Sequence, residues 1–207
     1  MSNSAAVDLA HDAPWAYRDF TGGFRTGLSN AKLGIWLFLA SEVMLFSTFF
    51  TTLIVLRVTS AAWPRGWEVL NVPLGMFNTM VLIASSVTMV MAYAKAFDRN
   101  KKAFNIYLAI TVALGILFLI DKGFEYAGEF REGHFPSTSV FYGIYFTMTA
   151  LHGIHVICGI LVNAALLLFS RKQWDEWFFL GRIEGAGLYW HFVDIVWIFL
   201  FPALYLL

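Results

Sequence analysis

Cysteine is almost absent from the chain. Cys158 stands alone inside an apolar run, which excludes a disulfide framework. Charge is scarce as well: 14% of the 207 residues are Asp, Glu, Lys or Arg, against about 25% in soluble domains. Neither sign prevails, since 14 basic residues face 14 acidic ones, so no basic field directs the chain to nucleic acid. No glycine-rich nucleotide fingerprint, phosphate-binding loop or nucleophile triad is present, and no catalytic residue set is expected on the chain itself. The first thirty residues lack the pattern of a secretory signal. Asp8, His11 and Asp12 precede any Lys or Arg, and no apolar core follows them, so residues 1–30 are expected to form a polar cytoplasmic arm.

What is abundant is apolar surface. Hydrophobic residues make up 59% of the chain, with 21 Phe and 8 Trp, and the mean hydropathy is +0.66. A soluble domain of this length could not bury so much in one core, whereas a lipid solvent needs no such core. Five runs reach the roughly 20 residues that a bilayer crossing takes: about 33–56, 72–94, 103–122, 138–170 and 185–207. They are too long and too uniformly apolar for the short alternating strands of a barrel. The expected fold is therefore all-α, a polytopic bundle of five transmembrane helices spanning residues 31–207. Short turns such as Trp63-Pro64-Arg65-Gly66-Trp67 and Gly133-His134-Phe135-Pro136 punctuate them.

Counting Lys and Arg by side of the membrane sets the expected orientation. Ten lie on one side, among them Lys32, Lys95, Arg99, Lys101, Lys102 and Arg171, and four on the other, Arg57, Arg65, Lys122 and Arg131. The richer side is assigned to the cytoplasm together with the N-terminus, and five crossings then place the C-terminus outside, on the periplasmic face. The localisation that follows is the inner cell membrane.

Polar residues within the runs are the candidate functional groups, because an ionised side chain at the bilayer centre costs roughly 2.5–3.5 kcal/mol on insertion scales. Glu42 interrupts the first run and reads either as a proton-binding or lipid-facing carboxyl or as a structural one bonded to a neighbouring helix. His152 and His155 lie three apart on the fourth run, with Cys158 three further. Steps of three fan this trio over about 120°, which suits interhelical hydrogen bonds better than a metal face, and no metal site is expected. Glu184 and His191 share a face of the fifth run with Asp194 one turn beyond, either as a proton relay or as a polar lock. Asp121, Glu125 and Glu129 fall four apart where the third run leaves the membrane, and are expected to form an exposed acidic stripe that is solvated, used for docking or a shallow cation-collecting patch.

These motifs together resemble subunit III of the haem–copper oxidases. Leu39-Ala40-Ser41-Glu42-Val43-Met44-Leu45-Phe46 resembles that family's glutamate helix, and Trp63-Pro64-Arg65-Gly66 its Trp-Pro-x-Gly turn. Asn78-Thr79, Glu125-Tyr126 and Leu151-His152-Gly153-Ile154-His155-Val156 match further signatures in family order. Tyr189-Trp190-His191-Phe192-Val193-Asp194 is similar to its last helix. The resemblance implies a subunit of a proton-translocating cytochrome c oxidase, aa3 type, that carries no cofactor itself while haem and copper reside in partner subunits. It implies packing on subunit I, with subunit II in the same complex, support of proton uptake and turnover stability, and bound phospholipid. It carries the family glutamate to Glu42, the histidine pair to His152 and His155, and the last-helix set to Glu184, His191 and Asp194. Arg171, with Glu42, falls where lipid contact is implied. Many members have seven helices, and this chain resembles the short five-helix form. Other readings are subunit III of a quinol oxidase, a nitric-oxide-reductase-associated homologue, a small haem-binding membrane cytochrome b, and a small secondary transporter.

Overall fold

The structure, a computed structural model, describes residues 30–60, 63–174 and 177–207, excluding the side chains of residues 30, 31, 171–173, 177 and 178. The N-terminal arm and the Arg171 side chain lie outside the described residues. Six α-helices follow in order: α1 Asn30–Thr59, the short α2 Gly66–Val69, α3 Val72–Phe97, α4 Lys101–Arg131, α5 Val140–Gln173 and α6 Trp177–Phe201. The π-helical segment Pro202–Leu206 closes the chain. Five of the helices are long and apolar enough to cross a membrane, as the hydropathy pattern leads one to expect.

Two runs extend beyond the apolar residues that announce them. The third continues nine residues past its expected end, to Arg131, and the fifth starts eight residues early, at Trp177. At 1.5 Å per residue, the 31 residues of α4 measure about 46 Å, well beyond a hydrocarbon core of about 30 Å. The added part of α4 carries Glu125, Glu129 and Arg131 and that of α6 carries Arg182 and Glu184; charges such as these end an apolar run although the helix continues. The helix starts are encoded locally. Asn71, Asn100 and Ser139 each accept a hydrogen bond from the backbone N–H three residues on, at 3.2, 3.2 and 3.3 Å, satisfying donors that the first turn leaves free. Arg99, at φ 57°, turns the chain between α3 and α4.

Helix α6 is the centre of the bundle, packing on α1, α3 and α5, while α3 and α4 form the most extensive antiparallel pair. Helix α1 is the most exposed, and Leu37, Met44 and Ile54 point away from the bundle. Between membrane helices the hydrophobic effect gives little attraction, so close packing and hydrogen bonds must hold them. Trp190 supplies both. Its indole is fully buried and donates to Ser85 Oγ on α3 at 3.1 Å. It also fills the space left by two glycines. A Cβ at Gly115 on α4 would lie 2.8 Å from the indole, and one at Gly159 on α5 2.7 Å from it. Four helices thus meet at one side chain. At one end of the bundle, α2 docks so closely that a Cβ on Gly66 would overlap the Leu204 carbonyl.

Substituting Gly159→Leu is expected to lower the unfolding midpoint of the full chain in mild detergent, at a cost of about 1–3 kcal/mol for overpacking. Gly153→Leu, nearly two turns earlier on α5 with open space beside it, should leave the midpoint nearly unchanged. Equal midpoints for the two variants would show that the glycine–tryptophan contact does not hold the helices together.

Candidate functional site

The polar residues within the bundle fall into separate groups. The first joins α1 to α5. Glu42 Oε2 lies 2.9 Å from His155 Nε2, and both side chains are largely buried. His155 Nδ1 sits 2.8 Å from the Leu151 carbonyl. A carbonyl only accepts, so Nδ1 must carry a hydrogen. One proton then remains for the line between Nε2 and the carboxylate, held either as imidazolium or as carboxylic acid. The imidazole is steadied by the Phe46 ring, edge-on at 5.3 Å between centroids. The pair is a proton-sharing unit on the least buried helix of the bundle.

His152, one turn earlier, does something different. It is fully buried, stacks on Trp197 at 5.2 Å and receives Phe118 edge-on at 5.7 Å. Neither ring nitrogen finds a partner among the described residues. The two histidines therefore do not act as one site, and Cys158 is exposed.

The polar set on α6 also divides. Glu184 pairs with Lys32 on α1 at 2.7 Å. His191 Nδ1 lies 2.7 Å from Ser86 Oγ on α3. Asp194 is buried, and neither of its oxygens meets a hydrogen-bond donor among the described residues. His191 and Asp194 both lie beside Ser86, whereas Glu184 turns to Lys32 on α1.

The acidic residues on α4 require a correction. Glu125 and Glu129 are not an exposed stripe: both are more than nine-tenths buried. Glu125 forms an ion pair with Lys122 at 2.9 Å and accepts from Tyr145 on α5 at 2.9 Å and from Tyr205 in the π-helical turn. Lys122 also donates to Tyr205 at 2.6 Å, and its ammonium stands 4.9 Å from the Trp197 ring centre. Glu129 meets His134 at 2.9 Å. The stripe is covered because α5 and the final turn close over this face, which spacing along α4 cannot reveal. Lys122 enters the sequence analysis only in the count of charges by side, and Tyr145 and Tyr205 not at all. The i,i+3 spacing of Lys122 and Glu125 would have revealed the ion pair, but the tyrosines carry no local signal.

Comparison with known proteins bears on this arrangement. The family model for cytochrome c oxidase subunit III matches residues 16–207. The chain is 38% identical to cytochrome c oxidase subunit 3 of Alkalihalophilus pseudofirmus over 86% of its own length and 87% of that protein's. It is 34% identical to quinol oxidase subunit 3 of Bacillus subtilis over 95% and 93%. It is 32% identical to cytochrome bo(3) ubiquinol oxidase subunit 3 of Pseudomonas putida over 84% of each.

Removing one member of a buried ion pair strands the other charge, at a cost of about 3–5 kcal/mol. Lys122→Met should therefore destabilise the full chain by about that much in reversible unfolding. The double variant Lys122→Met with Glu125→Leu should recover a large part of the loss. A single variant as stable as the wild type would contradict the pairing.

Proposed function

Since the chain belongs to the cytochrome c oxidase subunit III family, as a non-catalytic accessory subunit of the haem–copper and quinol terminal oxidases, we propose that it serves a cytochrome c-oxidising enzyme of the aa3 type. In this reading it packs on subunit I in the inner membrane and supports proton uptake and lasting turnover there. Oxygen reduction takes place at haem and copper held by partner subunits. The end of the bundle bearing Lys95, Arg99 and the Lys32–Glu184 pair faces the cytoplasm, following the Lys and Arg excess.

The observation that carries the proposal is the Glu42–His155 pair. A carboxyl and an imidazole meet there at 2.9 Å, across which one proton can be shared, and Glu42 stands on the helix with the greatest exposure to lipid or to a neighbouring subunit. A proton-sharing pair at such a boundary can buffer a pathway in the adjacent subunit. It can also face a phospholipid headgroup or chain, with Arg171 contributing at the cytoplasmic end. The histidines give little support to a membrane cytochrome b. His155 and His191 are committed to Leu151, Glu42 and Ser86, and His152 is wedged between two aromatic rings.

One observation favours a second reading. The match to the Bacillus subtilis quinol oxidase subunit covers more of the chain than the match to the cytochrome c oxidase subunit of Alkalihalophilus pseudofirmus. The donor site lies on other subunits in either case. Oxygen consumption by the purified complex with reduced cytochrome c or with a quinol separates the two readings.

The supporting role is tested by measuring oxygen consumption against pH and turnover number, with and without this chain. The depleted enzyme is expected to keep its metals and part of its rate, to lose rate earlier as pH rises towards neutral, and to inactivate in fewer turnovers. Identical rate, pH profile and lifetime in the two preparations would overturn the proton-uptake role.

A further inference from the structure

Ser86 on α3 stands between two groups that the oxidase reading leaves without a task. Its Oγ lies 2.7 Å from His191 Nδ1, and Asp194, one turn further along α6, is beside it. Asp194 is only 3% exposed.

The packing of α3 on α6 builds this arrangement. The two helices run antiparallel, and Trp190 donates to Ser85 at 3.1 Å. The next residue on each helix then meets its counterpart, which brings Ser86 to His191. Seven residues beyond Trp190, Trp197 donates to Thr79 at 3.1 Å. Asp194 falls between these rungs.

The Ser86 hydroxyl is free to turn. Thr79, Ser85 and Thr88, the other hydroxyls of α3, each donate to a carbonyl of their own helix, as such side chains commonly do. Ser86 bonds to His191 instead. Its one hydrogen can serve the imidazole or the carboxyl, one at a time. His191 is only partly buried, and its Nε2 is not sealed within the bundle.

We propose that Asp194, Ser86 and His191 form a proton relay, through which the buried carboxyl gives up and regains a proton at the bundle surface. With the proton aboard, the carboxylic acid donates to Ser86 Oγ, Ser86 donates to Nδ1, and the ring's hydrogen sits on Nε2. On release, the acid's hydrogen passes to Oγ and the serine's hydrogen to Nδ1. The hydrogen on Nε2 leaves for an acceptor outside. A carboxylate accepting from Ser86 remains, with Ser86 accepting from Nδ1. One proton has left, and the ring is again neutral but in its other tautomer, the two-nitrogen shuttle that histidine provides. The charged groups around α6 are engaged elsewhere. Lys32 of α1 pairs with Glu184, Glu42 of α1 with His155 of α5, Lys122 of α4 with Glu125, and Lys95 of α3 with Asp98. None of them holds Asp194 as a permanent counter-ion.

Titration of the purified full chain in mild detergent tests the relay. The Asp194 acid is read by its infrared C=O stretch, assigned by its loss in Asp194→Asn. The His191 tautomer is read by the nitrogen-15 resonances of the labelled ring, assigned by their loss in His191→Gln. As pH rises, the acid stretch should vanish and the ring hydrogen should move from Nε2 to Nδ1 at one shared midpoint, since coupled groups titrate as a unit. Ser86→Ala should uncouple them, so that the ring keeps its tautomer through the Asp194 midpoint. Ser86→Thr retains the hydroxyl and should restore the shared change. Four outcomes would each overturn the relay: an acid stretch unchanged over the whole range in which the chain stays folded, titration of Asp194 with no change at His191, a shared change that survives Ser86→Ala, or no rescue by Ser86→Thr. No reading involves oxidase turnover, so the result is independent of the role assigned to Glu42 and His155.

Discussion

The bundle depends on the seating of the Trp190 indole. Lipid is as apolar as a leucine side chain, so helices in a membrane gain little from hiding apolar faces against each other. Approach close enough for dispersion contact, together with hydrogen bonds, must supply the cohesion. Trp190 brings α6 into contact with α4 and α5 through positions that carry no side chain, Gly115 and Gly159, and ties it to α3 through Ser85. With α6 held at this point, the partners of its other polar residues follow. Glu184 reaches Lys32 at one end, His191 reaches Ser86, and Trp197 donates to Thr79 while stacking on His152. Beyond them the final turn delivers Tyr205 to Lys122.

These polar groups answer the same physical demand in different ways. A charge in a medium of low dielectric is costly unless it is paired and hydrogen-bonded. Lys122 and Glu125 meet that demand inside the chain, with two tyrosine hydroxyls occupying the remaining acceptor capacity of the carboxylate. Glu42 and His155 meet it by pairing with each other across α1 and α5. The first arrangement is closed within the bundle, and the second stands on its most exposed helix.

Much of the architecture was legible along the chain. Hydropathy identified five crossings, because a spanning helix must present apolar side chains to lipid over the bilayer's thickness. The ordered motifs around Glu42, His152 and Tyr189 to Asp194 pointed to the family, and the family model's match over residues 16–207 agrees with them. Helix ends were less legible. The last turns of α4 and the first of α6 carry charged residues such as Glu129, Arg131, Arg182 and Glu184, and these interrupt the apolar runs although the helices continue.

What the sequence determined by itself is what acts locally: the number of membrane-spanning runs, capping at Asn71, Asn100 and Ser139, and the turn conformations at Arg99 and Gly133. Apart from the Lys122–Glu125 pair, which lies at i,i+3 on one helix, the partners of the intramembrane polar residues were decided by the tertiary structure. Spacing on α4 placed Glu125 and Glu129 on one face but left open whether water or another helix covers it. Likewise, spacing on α5 separates His152 from His155 by less than one turn, yet one is walled in by Phe118 and Trp197 and the other reaches Glu42. A helix's own periodicity states which residues share a direction. What stands in that direction is set by the rotation and height at which the helices pack, and those follow from contacts between residues as distant in sequence as Ser85 and Trp190.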